Sequence, residues 1–310
     1  MDTAYHDPVL LQESIEGLDI QSEGIYVDAT FGGGGHSRRI LSRLGEGGRL
    51  YAFDRDPDAV KRAAEDPFFT QAGGRFELIA ENFRFMKNHL RFRKALPVNG
   101  ILADLGVSSH QFDTPERGFS IRGRGPLDMR MDQKSELTAS AVLNTYSEED
   151  LARVFCRYGE IPFGKRLASA VVKARSGQTF DYTDRAVAFF TPFAQKGREN
   201  KFLAMVFQSL RIEVNGEMEN LENLLQQSLD MLVPGGRLAV ISYHSLEDRM
   251  VKNFMRSGNL EGVVEKDFYG NNLSPFEPVT RKAVVASEEE VARNPRSRSA
   301  RLRIVRKKER

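Results

Sequence analysis

An α/β fold, a doubly wound Rossmann-like parallel sheet carrying an inserted helical block, is what the chain predicts. Three observations predict it. The first hundred residues alternate strand-like and helix-like runs. Near Phe112 that rhythm stops and helical signals follow without strands. Beyond about residue 200 a long amphipathic helix and a β-rich run restore the α/β pattern.

Taken in order, Ile25 to Thr30 is a short β-rich run that ends in Phe31 and four glycines. A helix then starts near Ser37, with Ile40, Leu41 and Leu44 at helical spacing. Arg49 to Asp54 is a second strand, and Asp56-Pro57 opens a helix through Val60, Ala63 and Ala64. Phe76 to Ala80 and Gly100 to Asp104 are the third and fourth strands. From Phe112 to Met131 the chain is rich in Gly, Arg, Asp and Pro without periodicity, which predicts a long loop. Ser147-Glu-Glu-Asp150 has the capping-box pattern before Leu151, Val154 and Phe155. Leu167, Ala170, Val171 and Ala174 mark a further helix, and Thr183 can cap another. Met218, Leu221, Leu225, Leu229 and Leu232 form an apolar stripe that Pro234-Gly-Gly236 closes. Leu238 to Ser242 is a strand and Leu246 to Met255 a helix. Segments around Val279 to Val285 and Leu302 to Val305 are expected to pair as an antiparallel hairpin. The expected division is an α/β domain in two parts, 1–111 and 201–310, around an insertion at 112–200.

Composition narrows the class. With 310 residues, 40% of them hydrophobic and 28% charged, the chain can bury a sizeable core, which excludes a largely disordered protein. No apolar run approaches bilayer-spanning length, and no basic region precedes an apolar stretch near the N-terminus. Cys156 is the single cysteine, and His6, His36, His89, His110 and His244 show no metal-ligand spacing. A cytoplasmic, metal-free protein that binds no membrane is therefore expected. The net charge of +2 hides an asymmetry: Arg293 to Arg310 holds nine Lys or Arg and one acid. Such a tail suits a phosphate-binding arm or a merely solvated end. The alternation of Leu302, Ile304 and Val305 with Arg301, Arg303 and Arg306 predicts an edge strand with one basic face.

Chemistry concentrates where strands end. The turn Asp28-Ala-Thr-Phe-Gly-Gly-Gly-Gly-His36 lies between a strand and a helix, so its backbone can approach a ligand closely. Asp54 ends the second strand, where an acid can accept hydrogen bonds from both hydroxyls of a ribose. Asp104 ends the fourth. In open α/β sheets ligands sit beyond the carboxyl ends of the strands, so these three features converge on one crevice. A nicotinamide-dependent dehydrogenase would share the first two. Against it, Ser37 stands where the third glycine of the dinucleotide fingerprint belongs. The run Leu232-Val-Pro-Gly-Gly-Arg-Leu238 between a long helix and a strand favours a methyltransferase.

A closer resemblance rests on several runs that occur in order along the chain. They are His6-Asp-Pro-Val-Leu10, Asp28 to Ser37, Phe53-Asp-Arg-Asp-Pro57, Asp104-Leu-Gly-Val-Ser-Ser109, Glu116-Arg-Gly-Phe-Ser120 and Gly125-Pro-Leu-Asp-Met-Arg-Met131. Phe207-Gln-Ser-Leu-Arg-Ile212, Ser242-Tyr-His-Ser-Leu-Glu-Asp-Arg249 and Asn294-Pro-Arg-Ser-Arg-Ser299 complete the set. Together they resemble the bacterial 16S ribosomal RNA cytosine-N4 methyltransferases, the MraW family. The resemblance implies a class I methyltransferase fold, S-adenosylmethionine as methyl donor, and 16S rRNA in the small ribosomal subunit as substrate. It further implies cofactor contacts at Gly34, Gly35, His36, Asp54, Phe83, Asp104 and Gln111, and a substrate-recognition role for the insertion. One departure is that many members carry a His-Pro-Ala-Thr-Arg-Thr run where this chain has Lys201-Phe-Leu-Ala-Met-Val206. The stretch Glu261 to Ala286 matches no motif.

The expected acceptor, an exocyclic cytosine amine, is a poor nucleophile because its lone pair is delocalised into the ring. Placement of the reactants is therefore expected to dominate, with acceptors for the amine hydrogens as the second requirement. Asp104, Ser108, Ser109 and Asp128 are the candidates for that acceptor. Arg117, Arg122, Arg124 and Arg130 are expected to grip RNA phosphates, and Phe119 to stack on a base. A ribosome-assembly binder without turnover is the remaining alternative, because Asp104-Leu-Gly-Val lacks the Pro-Pro-Tyr run of many amino-methyltransferases.

Overall fold

The computed structural model describes residues 8–309, so His6 and Asp7 of the N-terminal run and Arg310 of the tail lie outside the described residues. Two compact units are present. One joins the segment up to Gly106 with that from Glu219 onward, and the other is Val107–Met218.

The first unit is built on a seven-stranded sheet. Its strands are β1 (Ile25–Asp28), β2 (Arg49–Phe53), β3 (Phe76–Ile79), β4 (Val98–Asp104), β5 (Leu232–Ser242), β6 (Phe276–Pro278) and β7 (Arg301–Lys307). Their spatial order is β3-β2-β1-β4-β5-β7-β6. The first five run parallel, and β7 is antiparallel to both neighbours. Parallel neighbours need crossover connections, and the alternation of runs in the sequence supplies them as helices. Alternate side chains of each strand point to opposite faces. Val27, Ile101, Ala103, Leu238 and Val240 pack with Met86, Leu90, Leu221 and Leu225 on one face. Tyr26, Leu102, Ala239 and Ile241 pack with Leu10, Ile15, Leu18, Ile40 and Leu41 on the other. Both faces are thus covered, as near-continuous apolar strands require.

The second unit holds no strand of the sheet. Its helices include Ala139–Thr145, Glu148–Arg153, Gly164–Ala174, Thr183–Phe190 and Glu199–Asn215. Ser147 caps the second of these, its Oγ accepting from Asp150 N at 3.1 Å. Phe155, Phe180, Phe190, Val206 and Leu210 form its core. Helix Glu199–Asn215 buries Phe202, Leu203, Val206, Phe207 and Leu210 in that core, so the unit runs to Met218, beyond the 112–200 span expected for the insertion. Among the described residues no helix is long and apolar enough to cross a membrane.

Two local expectations change. The edge strand expected at the tail is interior: β7 pairs with β5 along Arg301 to Arg306 and with the short β6 on its other side. Of the expected hairpin partner at Val279 to Val285, Val279 N donates to Ile304 O at 3.0 Å and Val284 forms an isolated antiparallel bridge with Leu302, while the strand paired with β7 on that side, β6, ends just before it at Pro278. An interior strand must satisfy its charges at home. Arg303 donates to Asp248 at 2.8 and 3.1 Å, Arg306 pairs with Glu277, and Lys307 Nζ donates to Leu229 O and Leu232 O. Pro234-Gly-Gly236 also acts differently from a helix stop. Helix Glu217–Met231 ends directly at β5, and the register against β4 jumps between Leu232 and Arg237, with Gly235 at φ +81° absorbing the irregularity.

One buried acid fixes the first turn. Asp28, fully enclosed at the end of β1, accepts Thr30 N at 3.1 Å on Oδ1 and Ser37 Oγ at 2.7 Å on Oδ2. Burial pushes its carboxyl up to about 6, against those hydrogen bonds. The native state therefore holds this proton more tightly than the unfolded chain, whose carboxyl titrates near its ordinary value. The Asp28 contribution to stability falls as pH rises from about 4 through 6 and is constant above. In Asp28→Asn the decline in unfolding free energy over that window, followed by denaturant titration, is expected to be smaller by about 1–3 kcal/mol.

Candidate active site

The first unit gathers its polar strand ends at one edge. After β1, Phe31 N donates to Phe53 O at 2.9 Å, and Gly32 N donates to Asp54 Oδ2 at 2.8 Å. The turn is thereby tied to the end of β2. Asp54 Oδ1 accepts Asp56 N at 2.9 Å. Each Asp54 oxygen then keeps a lone pair, and burial raises this carboxyl above its ordinary value.

The glycines divide their work. A Cβ at Gly32 (φ +52°) would meet nothing nearer than Thr30 O at 3.9 Å, so the backbone there is open to a ligand. Gly34 (φ +77°) precedes helix Gly35–Leu41, and a Cβ on it would strike the Phe31 and Phe69 rings at 2.7 and 2.9 Å. At Gly35 a Cβ would fall 2.1 Å from Pro8 Cγ. Gly34 and Gly35, expected as cofactor contacts, are thus also required by packing.

Asp104 ends β4. Its N–H donates to Thr30 Oγ1 at 2.7 Å, tying a third strand end to the same turn. Its Oδ1 accepts the Tyr243 hydroxyl at 2.7 Å. His36 is buried, with Nε2 3.1 Å from Val9 O and Nδ1 3.8 Å from Asp104 Oδ2. A carbonyl only accepts, so Nε2 carries the proton and Nδ1 presents a lone pair. Burial holds this imidazole down at about 4, so it is neutral near pH 7. No donor among the described residues reaches Asp104 Oδ2, an acceptor facing a second acceptor across a gap too long for a hydrogen bond. Burial raises the Asp104 carboxyl to about 7; the Tyr243 hydrogen bond opposes the rise, and the charges of Asp28 and Glu247 add to it.

Tyr243 is the residue that sequence reasoning passed over. It sits just past β5, its N–H donates to Glu247 Oε2 at 2.8 Å, and a Cβ on Gly106 would meet its ring at 3.2 Å. It lies within the run Ser242 to Arg249, but a hydrogen bond across 139 positions leaves no local mark in sequence. Phe83 is half-buried against the core, in a turn where Asn82 Oδ1 accepts Arg84 N at 3.0 Å.

The remaining predicted residues belong to the second unit. Gln111 is buried and completes a capping box with Ser108: Ser108 N donates to Gln111 Oε1 at 3.1 Å, and Gln111 N to Ser108 Oγ at 3.2 Å. Ser109 is the first residue of that helix. Asp128 is gripped by the Arg130 guanidinium through two bonds of 2.9 and 2.7 Å, and Arg130 also donates to Gln133 O and Ser135 O. Three of the expected RNA contacts are changed by this packing. Phe119 is only 4% exposed in the core and offers no stacking face. Arg117 is buried and donates to Arg130 O and Met131 O, and Arg130 is spent on Asp128. Arg122 and Arg124 remain exposed, with Arg124 over the Tyr182 ring at 4.7 Å and 3.7 Å from Asp184.

Residues 3–308 match the model of the MraW methylase family. A ribosomal RNA small subunit methyltransferase H from Bacteroides thetaiotaomicron is 54% identical over 307 residues, 99% of each chain. Proteins of the same name from Phocaeicola vulgatus and Cytophaga hutchinsonii are each 54% identical, over 98% and 97% of this chain and 98% and 99% of their own. Such a match across the sheet, the turn and the insertion leaves the dehydrogenase reading without support. The chain belongs to the MraW methylase family, and it is an S-adenosylmethionine-dependent methyltransferase with the class I Rossmann-like fold.

Proposed function

We propose that the chain methylates the exocyclic N4 amine of a cytosine in the 16S rRNA of the small ribosomal subunit, in the cytoplasm. The observation that carries the reading is the open Oδ2 of Asp104, held beside the glycine turn at an edge that Asp54 also lines. Relatives over nearly the full chain bear the name of a small-subunit rRNA methyltransferase, and that name supports the RNA substrate.

The residues present fit S-adenosylmethionine. The Gly32 backbone is unobstructed, and the Asp54 oxygens each retain a lone pair for a ribose hydroxyl. Phe83 offers an apolar surface for the adenine. When bound, the cofactor supplies an electrophilic methyl on a positively charged sulfonium. The protein must then align the target nitrogen with that methyl, and such placement is worth at best roughly 7–11 kcal/mol. Asp104 Oδ2 accepts a hydrogen from the amine and steers the nitrogen lone pair out of the ring. The Tyr243 hydroxyl fixes the carboxylate in that orientation and favours its ionised form. Reaching a base edge in folded RNA requires an unpaired or extruded nucleotide. Arg122 and Arg124 of the insertion are the exposed cations proposed to hold RNA phosphates.

Transfer of labelled methyl to small ribosomal subunits, followed by nucleoside digestion, tests the reading: N4-methylated cytidine is expected, and label on another base overturns it. An ionised Asp104 is needed, so kcat/KM is expected to rise with pH and level off above about 7. Tyr243→Phe removes the bond that favours the carboxylate, so its acidic limb is expected at higher pH. Asp104→Asn is expected to lower kcat by about 10²–10⁴-fold with little change in cofactor KM. A rise in cofactor KM alone would assign Asp104 to cofactor binding instead.

A further inference from the structure

We infer that the outward face of helix Met86–Phe92, with the turn leading into it, is a second docking surface for the substrate RNA, where two phenylalanine rings stack on unpaired bases between phosphate-holding cations. The inference rests on the rRNA reading above and extends it to a surface outside the candidate site.

No Asp or Glu occurs between Glu81 and Asp104, whereas Arg84, Lys87, Arg91, Arg93 and Lys94 fall within eleven positions. Met86 and Leu90 turn inward and are fully buried, which orients the helix. Phe85, at its N-cap, is 38% exposed, and Phe92, its last residue, is 85% exposed. Seven positions separate them, two helical turns, so they share a face about 10 Å apart. The cations divide into two sets. Lys87 pairs with Asp230 and Arg93 with Glu77, and both serve the fold. Arg84, Arg91 and Lys94 are exposed and have no acidic partner among the described residues. The Arg84 guanidinium lies 4.5 Å from the Phe85 ring centroid, so ring and charge are presented together.

Single exposed apolar residues need no explanation. Two exposed rings in one row beside three unneutralised cations do, because each feature leaves the other unexplained for most partners. An apolar protein surface would satisfy the rings and strand the charges. A polyanion with stackable faces satisfies both, as single-stranded RNA does. The topology places this face usefully. The helix returns from the carboxyl end of β3 to the amino end of β4, so its row leads from the Phe83 end of the site toward the opposite edge of the sheet. A target within a large ribonucleoprotein can touch both ends at once, which a lone nucleotide cannot.

The test uses the full-length protein and purified small subunits, with the doubly substituted Phe85→Ala/Phe92→Ala and the triply substituted Arg84→Gln/Arg91→Gln/Lys94→Gln. The double variant is expected to raise KM for subunits by about tenfold or more, with kcat and cofactor affinity unchanged. The triple variant is expected to flatten the slope of log binding constant against log salt by about two, at about 0.7 per contact. Wild-type KM and salt slope in both variants would overturn the proposal. So would altered sedimentation with unaltered RNA binding, which would assign the face to self-association. Should wild-type protein bind subunits without methylating them, the rRNA reading fails while the binding slopes still judge this surface.

Discussion

A single enclosed carboxylate, Asp28, is what the proposed catalytic edge depends on. It holds the main chain at Thr30 and the hydroxyl at Ser37, and so sets the path of the glycine turn. Once the path is set, Thr30 Oγ1 meets the end of β4, and Phe31 N and Gly32 N meet the end of β2. Three parallel strands are tied together through one three-residue stretch, Thr30 to Gly32. The cost is an acid that burial makes reluctant to ionise, and the turn tolerates it because both oxygens are hydrogen-bonded.

The same economy explains the electrostatics of the site. Asp28, Asp54 and Asp104 lie at neighbouring strand ends, and each has its carboxyl raised chiefly by burial. Their charges reinforce one another, Asp54 raising Asp28 and Asp28 raising Asp104, which suits the proposed binding of a cofactor that carries a sulfonium and an ammonium of its own. His36 stays neutral, so it braces the turn through Val9 without cancelling the acidic field.

Charges elsewhere follow the opposite rule. Arg303, Arg306 and Lys307 lie on a strand inside the sheet and find partners within the fold, and Arg117 and Arg130 do the same inside the helical unit. A count of basic residues therefore says little about RNA contact. Exposed cations are more informative, among them Arg122 and Arg124 on the insertion, the latter already 3.7 Å from Asp184, and Arg84, Arg91 and Lys94 along and just beyond helix Met86–Phe92.

By itself the sequence determined the α/β class, the five parallel strands, the glycine turn, Asp54 and Asp104 at strand ends, and the helical character of the insertion. All of these follow from hydrophobic period and turn chemistry, which are properties of near neighbours. Order of motifs along the chain carried the family. Only the tertiary structure decided that β7 lies inside the sheet, because which strands lie side by side is set by packing between segments far apart. It also decided that Phe119 and Arg117 are buried, since a Gly- and Arg-rich loop has no period from which burial can be read. Tyr243 reached Asp104 by the same route. Their hydrogen bond exists because β4 and β5 are neighbours, and nothing within either segment requires the other.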